Sequence, residues 1–222
     1  MSNLGKIVFN ENLLSLFLKG GILMIPLLIM SIISIFIFFE RIIFLRKSNI
    51  FLSKEKFAAI KNRIEKNDLD SVQEIFKINQ EIVKNIFIAG IDEYKNEKSS
   101  NQDIENAMSS ALVFEIKNME YGLDILSSIY NLAPQIGFLG TIIGMLISFM
   151  NISNSDEIIS MKYISSGIYE AMISTAFGLI VSIVTFIIHD FVTSRVKKNQ
   201  DQMEFFTNLF FNFLKKNKND KN

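Results

Sequence analysis

The chain has no cysteine. That absence removes disulfides, thiolate metal sites and cysteine nucleophiles. There is a single histidine, His189, so no paired-histidine metal motif can form. Neither a Ser-His-Asp set nor a phosphate-binding glycine loop is present, and the sequence reads as neither an enzyme nor a cofactor binder. Charge of either sign is not in excess: 23 basic residues balance 23 acidic ones. With only a modestly basic tail, nothing in that balance points to nucleic acid.

What is present is segregation. Nearly half of the 222 residues are apolar and about a fifth are charged, yet the two kinds sit in separate blocks. Residues 20–39 and 125–154 hold no charge, and 163–189 holds only Glu170. A helix needs about 20 mostly apolar residues to cross a hydrocarbon core of roughly 30 Å. In lipid the backbone must satisfy its own polar groups, so each block is expected to be a helix. The fold class expected is therefore all-α, an integral membrane protein with three transmembrane helices and long helical extensions. The first block is too long for the apolar region of a typical signal peptide and lacks a small-x-small cleavage site, so it is expected to stay in the protein.

Lysine and arginine near the ends set the expected orientation. Arg41, Arg46 and Lys47 follow the first block, and Arg195, Lys197 and Lys198 follow the third. The second connection offers Lys162 alone, while Lys6 and Lys19 count the other way. The N-terminus is expected outside and the C-terminus in the cytoplasm. The organisation is then an outer segment 1–19, transmembrane helix 1 at 20–45 and a cytoplasmic helical domain at 46–124. Transmembrane helix 2 follows at 125–154, an outer loop at 155–162, transmembrane helix 3 at 163–189 and a C-terminal cytoplasmic helix at 190–222.

Within 46–124 there is no proline, and the glycines are Gly90 and Gly122. Ile75, Ile78, Ile82, Ile86 and Phe87 recur at helical spacing, which predicts two or three helices, the last running into the second span. So small a domain invites packing between subunits. After the third span, Val192, Val196, Asn199, Met203, Phe206, Phe210 and Phe213 follow alternating four- and three-residue steps, a heptad seam. Two readings stand: a bundle between subunits, or a helix lying on the bilayer or on its own cytoplasmic loop. His189 falls at the inner end of the third span, as an interfacial residue or a member of this seam.

Projected at 100° per residue, the second span has a small, polar side and a bulky one. Tyr130, Pro134, Gly137, Thr141, Gly144, Ser148 and Asn151 form the first; Leu132, Ile136, Leu139, Ile143, Leu146 and Met150 form the second. Gly140 and Gly144 make a GxxxG pair. Pro134 leaves the carbonyl four residues back without its usual partner and is expected to bend the helix. The third span repeats the pattern. Tyr163, Gly167, Glu170, Ser174, Gly178 and Thr185 share a face, with Ala171, Thr175 and Ser182 beside it. Ile173, Phe177, Ile180, Val184 and Ile187 oppose them. Such faces serve close helix packing or line a polar interior. Glu170 adds an ionisable group that costs roughly 2.5–3.5 kcal/mol at a membrane centre, and less nearer an interface. It acts either as an anchor that snorkels or bonds a neighbour, or as a group facing a hydrated path or a partner helix.

The run 133–145, Ala-Pro-Gln-Ile-Gly-Phe-Leu-Gly-Thr-Ile-Ile-Gly-Met, resembles the second span of the ExbB/TolQ proton-channel proteins, in the superfamily that also holds MotA. The run 167–179, Gly-Ile-Tyr-Glu-Ala-Met-Ile-Ser-Thr-Ala-Phe-Gly-Leu, resembles their third span. Lys19-Gly20-Gly21, Pro26 and Glu40-Arg41 look like the first span and its inner end, and the similarity extends over about residues 12–200. The resemblance implies a homopentamer in the bacterial inner membrane, with the outer side facing the periplasm. Its pore would enclose a single-span ExbD/TolR-like partner carrying a membrane aspartate, and a TonB-like or TolA-like protein would take up the motion. By motif position Thr141 and Thr175 match the pore threonines and Glu170 the pore glutamate. Gly137, Gly140, Gly144, Ser148, Gly167, Ser174 and Gly178 would pack helices or face the pore. Glu170 is expected to shape access, hydration or subunit contact, while the partner's aspartate cycles the proton. A non-conducting membrane scaffold is the alternative, as is a divergent flagellar-stator-like role, although the stator protein has four spans and this chain three.

Overall fold

The computed structural model describes residues 20–47, 62, 63, 66, 83–96, 98–153 and 161–219. The outer segment 1–19, Ile75, Ile78 and Ile82, and residues 155–160 of the outer loop lie outside the described residues. Every element among the described residues is helical. We label them α1 (Met24–Lys47), α2 (Val83–Lys95), α3 (Asn101–Glu120), α4 (Leu123–Ser153) and α5 (Met161–Asn219). Stretches long and apolar enough to cross a membrane lie in Met24–Arg46, in Asn101–Ser153 and in Gly167–Lys218. α5 is one helix of 59 residues, about 88 Å long at 1.5 Å per residue. The chain divides into two compact units.

The first unit lies within Met1–Phe38 and Gly122–Asp190. Met24 and Leu27 of α1, Ile129 and Ala133 of α4 and Val181 of α5 make its core, with Met30, Ile136, Ile173 and Phe177 packed on it. Ile136, Ile173 and Phe177 were expected on bulky outer faces. They are half-buried instead, because α1, α4 and α5 share this core. Leu139, Ile143, Leu146 and Met150 of α4 and Ile180, Val184 and Ile187 of α5 remain exposed. Without water around them, such side chains suit lipid tails or further helices.

α1 starts at Met24 rather than at residue 20. Gly21 adopts a positive φ of 75°, which an L side chain resists, so the helix begins beyond it. The predicted continuity into the second span is also broken. Tyr121 leaves helical geometry at ψ 131° and Gly122 has φ 83°, which ends α3 and restarts the chain as α4. A Cβ on Gly122 would stand 3.1 Å from Ile37 Cγ2, so space as well as backbone favours glycine there.

The second unit lies within Phe39–Tyr121 and Phe191–Asn222. Its core joins Val83, Ile86, Phe87 and Ile91 of α2, Ile104, Met108 and Met119 of α3, and Val192, Val196, Met203, Phe210 and Leu214 of α5. Phe87 stacks on Phe210 with ring centroids 4.3 Å apart. Gly90 admits the Met108 side chain, which stands 2.7 Å from where a Cβ would lie. The apolar stripe of α5 is thus covered by this chain's own helices α2 and α3. Its buried positions are Thr207 and Leu214 where the heptad predicted Phe206 and Phe213. Arg41 is buried, donates to the Asn118 carbonyl at 2.9 Å and pairs with Glu40. Ser100 caps α3: the Asp103 amide donates to its hydroxyl, and the Ser100 amide donates to the Asp103 carboxylate at 2.7 Å.

Candidate functional site

Inside the first unit the small faces of α4 and α5 meet each other. A Cβ on Gly178 would lie 2.6 Å from the Ala133 carbonyl oxygen and 3.0 Å from Gly137 Cα. One on Gly137 would meet the Ser174 carbonyl oxygen at 2.9 Å, and one on Gly144 the Ala171 Cβ at 2.9 Å. Gly140 faces Ser174, and Gly167 faces Ser148, so closely that their hydroxyls fill the space of a Cβ. All seven small residues singled out in the sequence therefore sit in one helix–helix seam. Backbones approach this closely only where side chains are absent or short.

Hydroxyls then find carbonyls within the seam. Thr175 Oγ1 donates to the Gly137 carbonyl at 2.8 Å, across from α5 to α4. Ser174 Oγ donates to its own-helix Ala171 carbonyl at 2.8 Å, and Ser148 Oγ to Gly144 at 2.9 Å. Thr141 is half-exposed, and its hydroxyl donates to the Phe138 carbonyl at 2.6 Å. Thr175 lies one residue from the midpoint of the 163–189 block, and Gly137 and Thr141 flank the midpoint of 125–154. The donor–acceptor set is thus at mid-depth in both spans.

Proline 134 has a specific counterpart. Lacking an N–H, it frees the Tyr130 carbonyl, and Ser182 Oγ donates to that oxygen at 2.7 Å. The sequence flagged the orphaned carbonyl and placed Ser182 beside the polar face, but nothing in one dimension joined them. Tyr130 also meets the edges of Phe186 and His189, with ring centroids 5.5 and 5.4 Å away. His189 is half-buried at this contact.

Glu170 does not join Thr141 and Thr175. It precedes Thr175 by five residues, which at 100° per residue turns it about 140° around the helix. Its carboxylate occupies the space beside Gly21, where a Cβ would overlap Oε1. Glu170 is exposed there, at the start of α1. Thr175 instead bonds the Gly137 carbonyl and Thr141 the Phe138 carbonyl, both on α4. Thr185, expected on the face that Ser174 and Gly178 share, bonds a hydroxyl of α1 that the sequence did not single out. Thr185 Oγ1 donates to Ser34 Oγ at 3.0 Å, and Ser34 donates to the Met30 carbonyl at 2.9 Å, both side chains being buried. The pair borders a cavity of about 90 Å³ lined by Ser31, Phe177 and Val184 among others, large enough for water.

Comparison with known proteins gives this geometry a context. The sequence profile described as the MotA/TolQ/ExbB proton channel family matches residues 78–205. An ExbB homolog, a biopolymer transport protein of Methanothermobacter thermautotrophicus, is 28% identical over 197 residues, spanning 88% of this chain and 68% of that protein. The ExbB-like 1 protein of Synechocystis is 30% identical over 85% of this chain and 74% of its own length. The Tol-Pal system protein TolQ of Haemophilus influenzae is 26% identical over 91% of this chain and 93% of its own.

Proposed function

Since the chain belongs to the MotA/TolQ/ExbB proton channel family, we propose that it is the proton-channel subunit of an ExbB/TolQ-type energy-transducing motor in a bacterial inner membrane. It forms a homo-oligomer, a pentamer by the family resemblance, around a single-span ExbD/TolR-like partner whose membrane aspartate takes and releases the proton. A TonB-like or TolA-like protein carries the resulting motion outward, with the N-terminus of this chain periplasmic and its C-terminus cytoplasmic.

The observation that supports this reading most is the Thr175 hydroxyl on the Gly137 carbonyl, with Thr141 one turn along, at mid-depth in two spans without charge. A hydroxyl both donates and accepts, so it can orient water or bond a carboxyl group as that group gains and loses a proton. Glu170 shapes access at the start of α1 and is not itself the cycling carboxylate. The test is proton-motive-force-dependent function in cells carrying Thr141→Ala, Thr175→Val or Glu170→Ala. Loss in the threonine variants is expected, and full activity in all three removes the pore role.

A non-conducting scaffold is the second reading. It is favoured by the seam itself, in which glycines and serines already have a packing role. A neighbouring gene for a single-span protein with an aspartate near the start of its span supports the channel, and its absence from the genome supports the scaffold.

A further inference from the structure

At the end of α1 the second unit holds a cavity of about 130 Å³ that the proton chemistry does not use. Ile42, Leu45 and Arg46 line it from α1, and Phe191, Val192, Arg195 and Asn199 line it from α5. From Met24 to Arg46 is about 33 Å of helix, close to the roughly 30 Å of a hydrocarbon core. The cavity therefore opens where acyl chains give way to headgroups. Its lining is of two kinds: Ile42, Leu45 and Val192 are apolar, and Arg46 and Arg195 are basic.

We propose that this cavity is a binding site for one anionic glycerophospholipid, its phosphodiester held between Arg46 and Arg195. A guanidinium presents parallel N–H donors that match two phosphate oxygens, and two of them exceed the single charge of a phosphodiester. Arg195 is steadied by the Phe191 ring, 5.3 Å from its carbon to the centroid. Among the described residues neither guanidinium is paired with a carboxylate. Among the described residues no acidic side chain lines the cavity to accept the ammonium of a zwitterionic headgroup. Asn199 adds an amide able to reach a headgroup hydroxyl. The lipid so held would tie the end of α1 to α5 at the membrane surface.

The test is native mass spectrometry of the full chain in detergent, titrated with phosphatidylglycerol or phosphatidylethanolamine of the same acyl chains. The expected result is preferential retention of phosphatidylglycerol, with a loss of about fivefold for each guanidinium removed in Arg46→Gln and Arg195→Gln. Lys197→Gln/Lys215→Gln, which removes two charges outside the cavity, is expected to retain the lipid as the parent does. Ile42→Phe, which adds bulk to the lining without changing charge, is expected to lower retention and decides the matter if an arginine variant fails to fold. Equal retention of the two lipids by the parent overturns the proposal, as does equal loss in the lysine control. Displacement of the lipid by 10 mM inorganic phosphate would assign the site to free phosphate and overturn it too.

Discussion

At the scale of single residues, the membrane unit is a set of backbone carbonyls each given a hydroxyl. Tyr130 loses its helical donor to Pro134 and gains Ser182, and Gly137 accepts from Thr175. In lipid an unpaired carbonyl has no water to turn to, so the pairing matters most where proline removes the amide. Ser182→Ala is expected to destabilise by about 1 kcal/mol, within the range for hydrogen bonds between membrane helices. Pro134→Ala restores the amide, so adding it to Ser182→Ala should recover most of that loss. Reversible unfolding in mixed micelles measures the cycle. Simple additivity would mean that Ser182 does not act through the freed carbonyl. The sequence made Pro134 and its orphaned carbonyl legible, because that effect is local. The partner, 52 residues away, was not, since choosing it requires knowing which helix lies alongside. Glu170 shows the same limit in reverse: its charge was conspicuous, but its neighbour Gly21 is set by the packing of α1.

At the scale of elements, helical projection identified the right side of α4 and α5 and left open what covers it. Gly137, Gly144, Ser174 and Gly178 share a face by periodicity alone, and that face is the seam. Ile173 and Phe177 looked lipid-facing because one helix cannot report a third, α1, on its flank. The seam on α5 illustrates a finer effect. A strict heptad has period 3.5, whereas a straight helix has 3.6 and drifts about 20° per heptad. Over three repeats the buried row takes an extra four-residue step after Met203, to Thr207, Phe210 and Leu214. Two predictions belong here. Gly178→Leu must push against the Ala133 carbonyl and is expected to cost roughly 1–3 kcal/mol, while Ala176→Leu, on an exposed position, should be near neutral. Thermal unfolding in detergent compares them. At the start of α3, hydrogen bonds from the Ser100 hydroxyl and then its amide hold the Asp103 carboxyl below its ordinary 3.8. Its folded value lies below the unfolded one, so the cap's contribution is present above about pH 4 and is lost as pH falls through the folded value. Amide exchange at Asp103 and Ile104 should quicken over that range and become insensitive to it in Asp103→Asn.

At the scale of the whole molecule, composition and charge blocks were enough to expect the helices seen among the described residues, and the three stretches there that are long and apolar enough to cross a membrane. In the proposed motor, the interior that a proton uses belongs to an assembly, to which this chain would bring hydroxyls and a partner the acid. Between residues 163 and 189 the chain has one carboxylate, Glu170, and it packs against Gly21. The most direct measurement is proton flux into liposomes carrying the full chain together with a single-span ExbD/TolR-like protein from the same genome, under an imposed pH gradient. The account predicts flux that needs both proteins and falls at least about tenfold, some 1.4 kcal/mol, in a Thr141→Val/Thr175→Val variant that still assembles. Flux unchanged in that variant, or none from the intact pair, would contradict it.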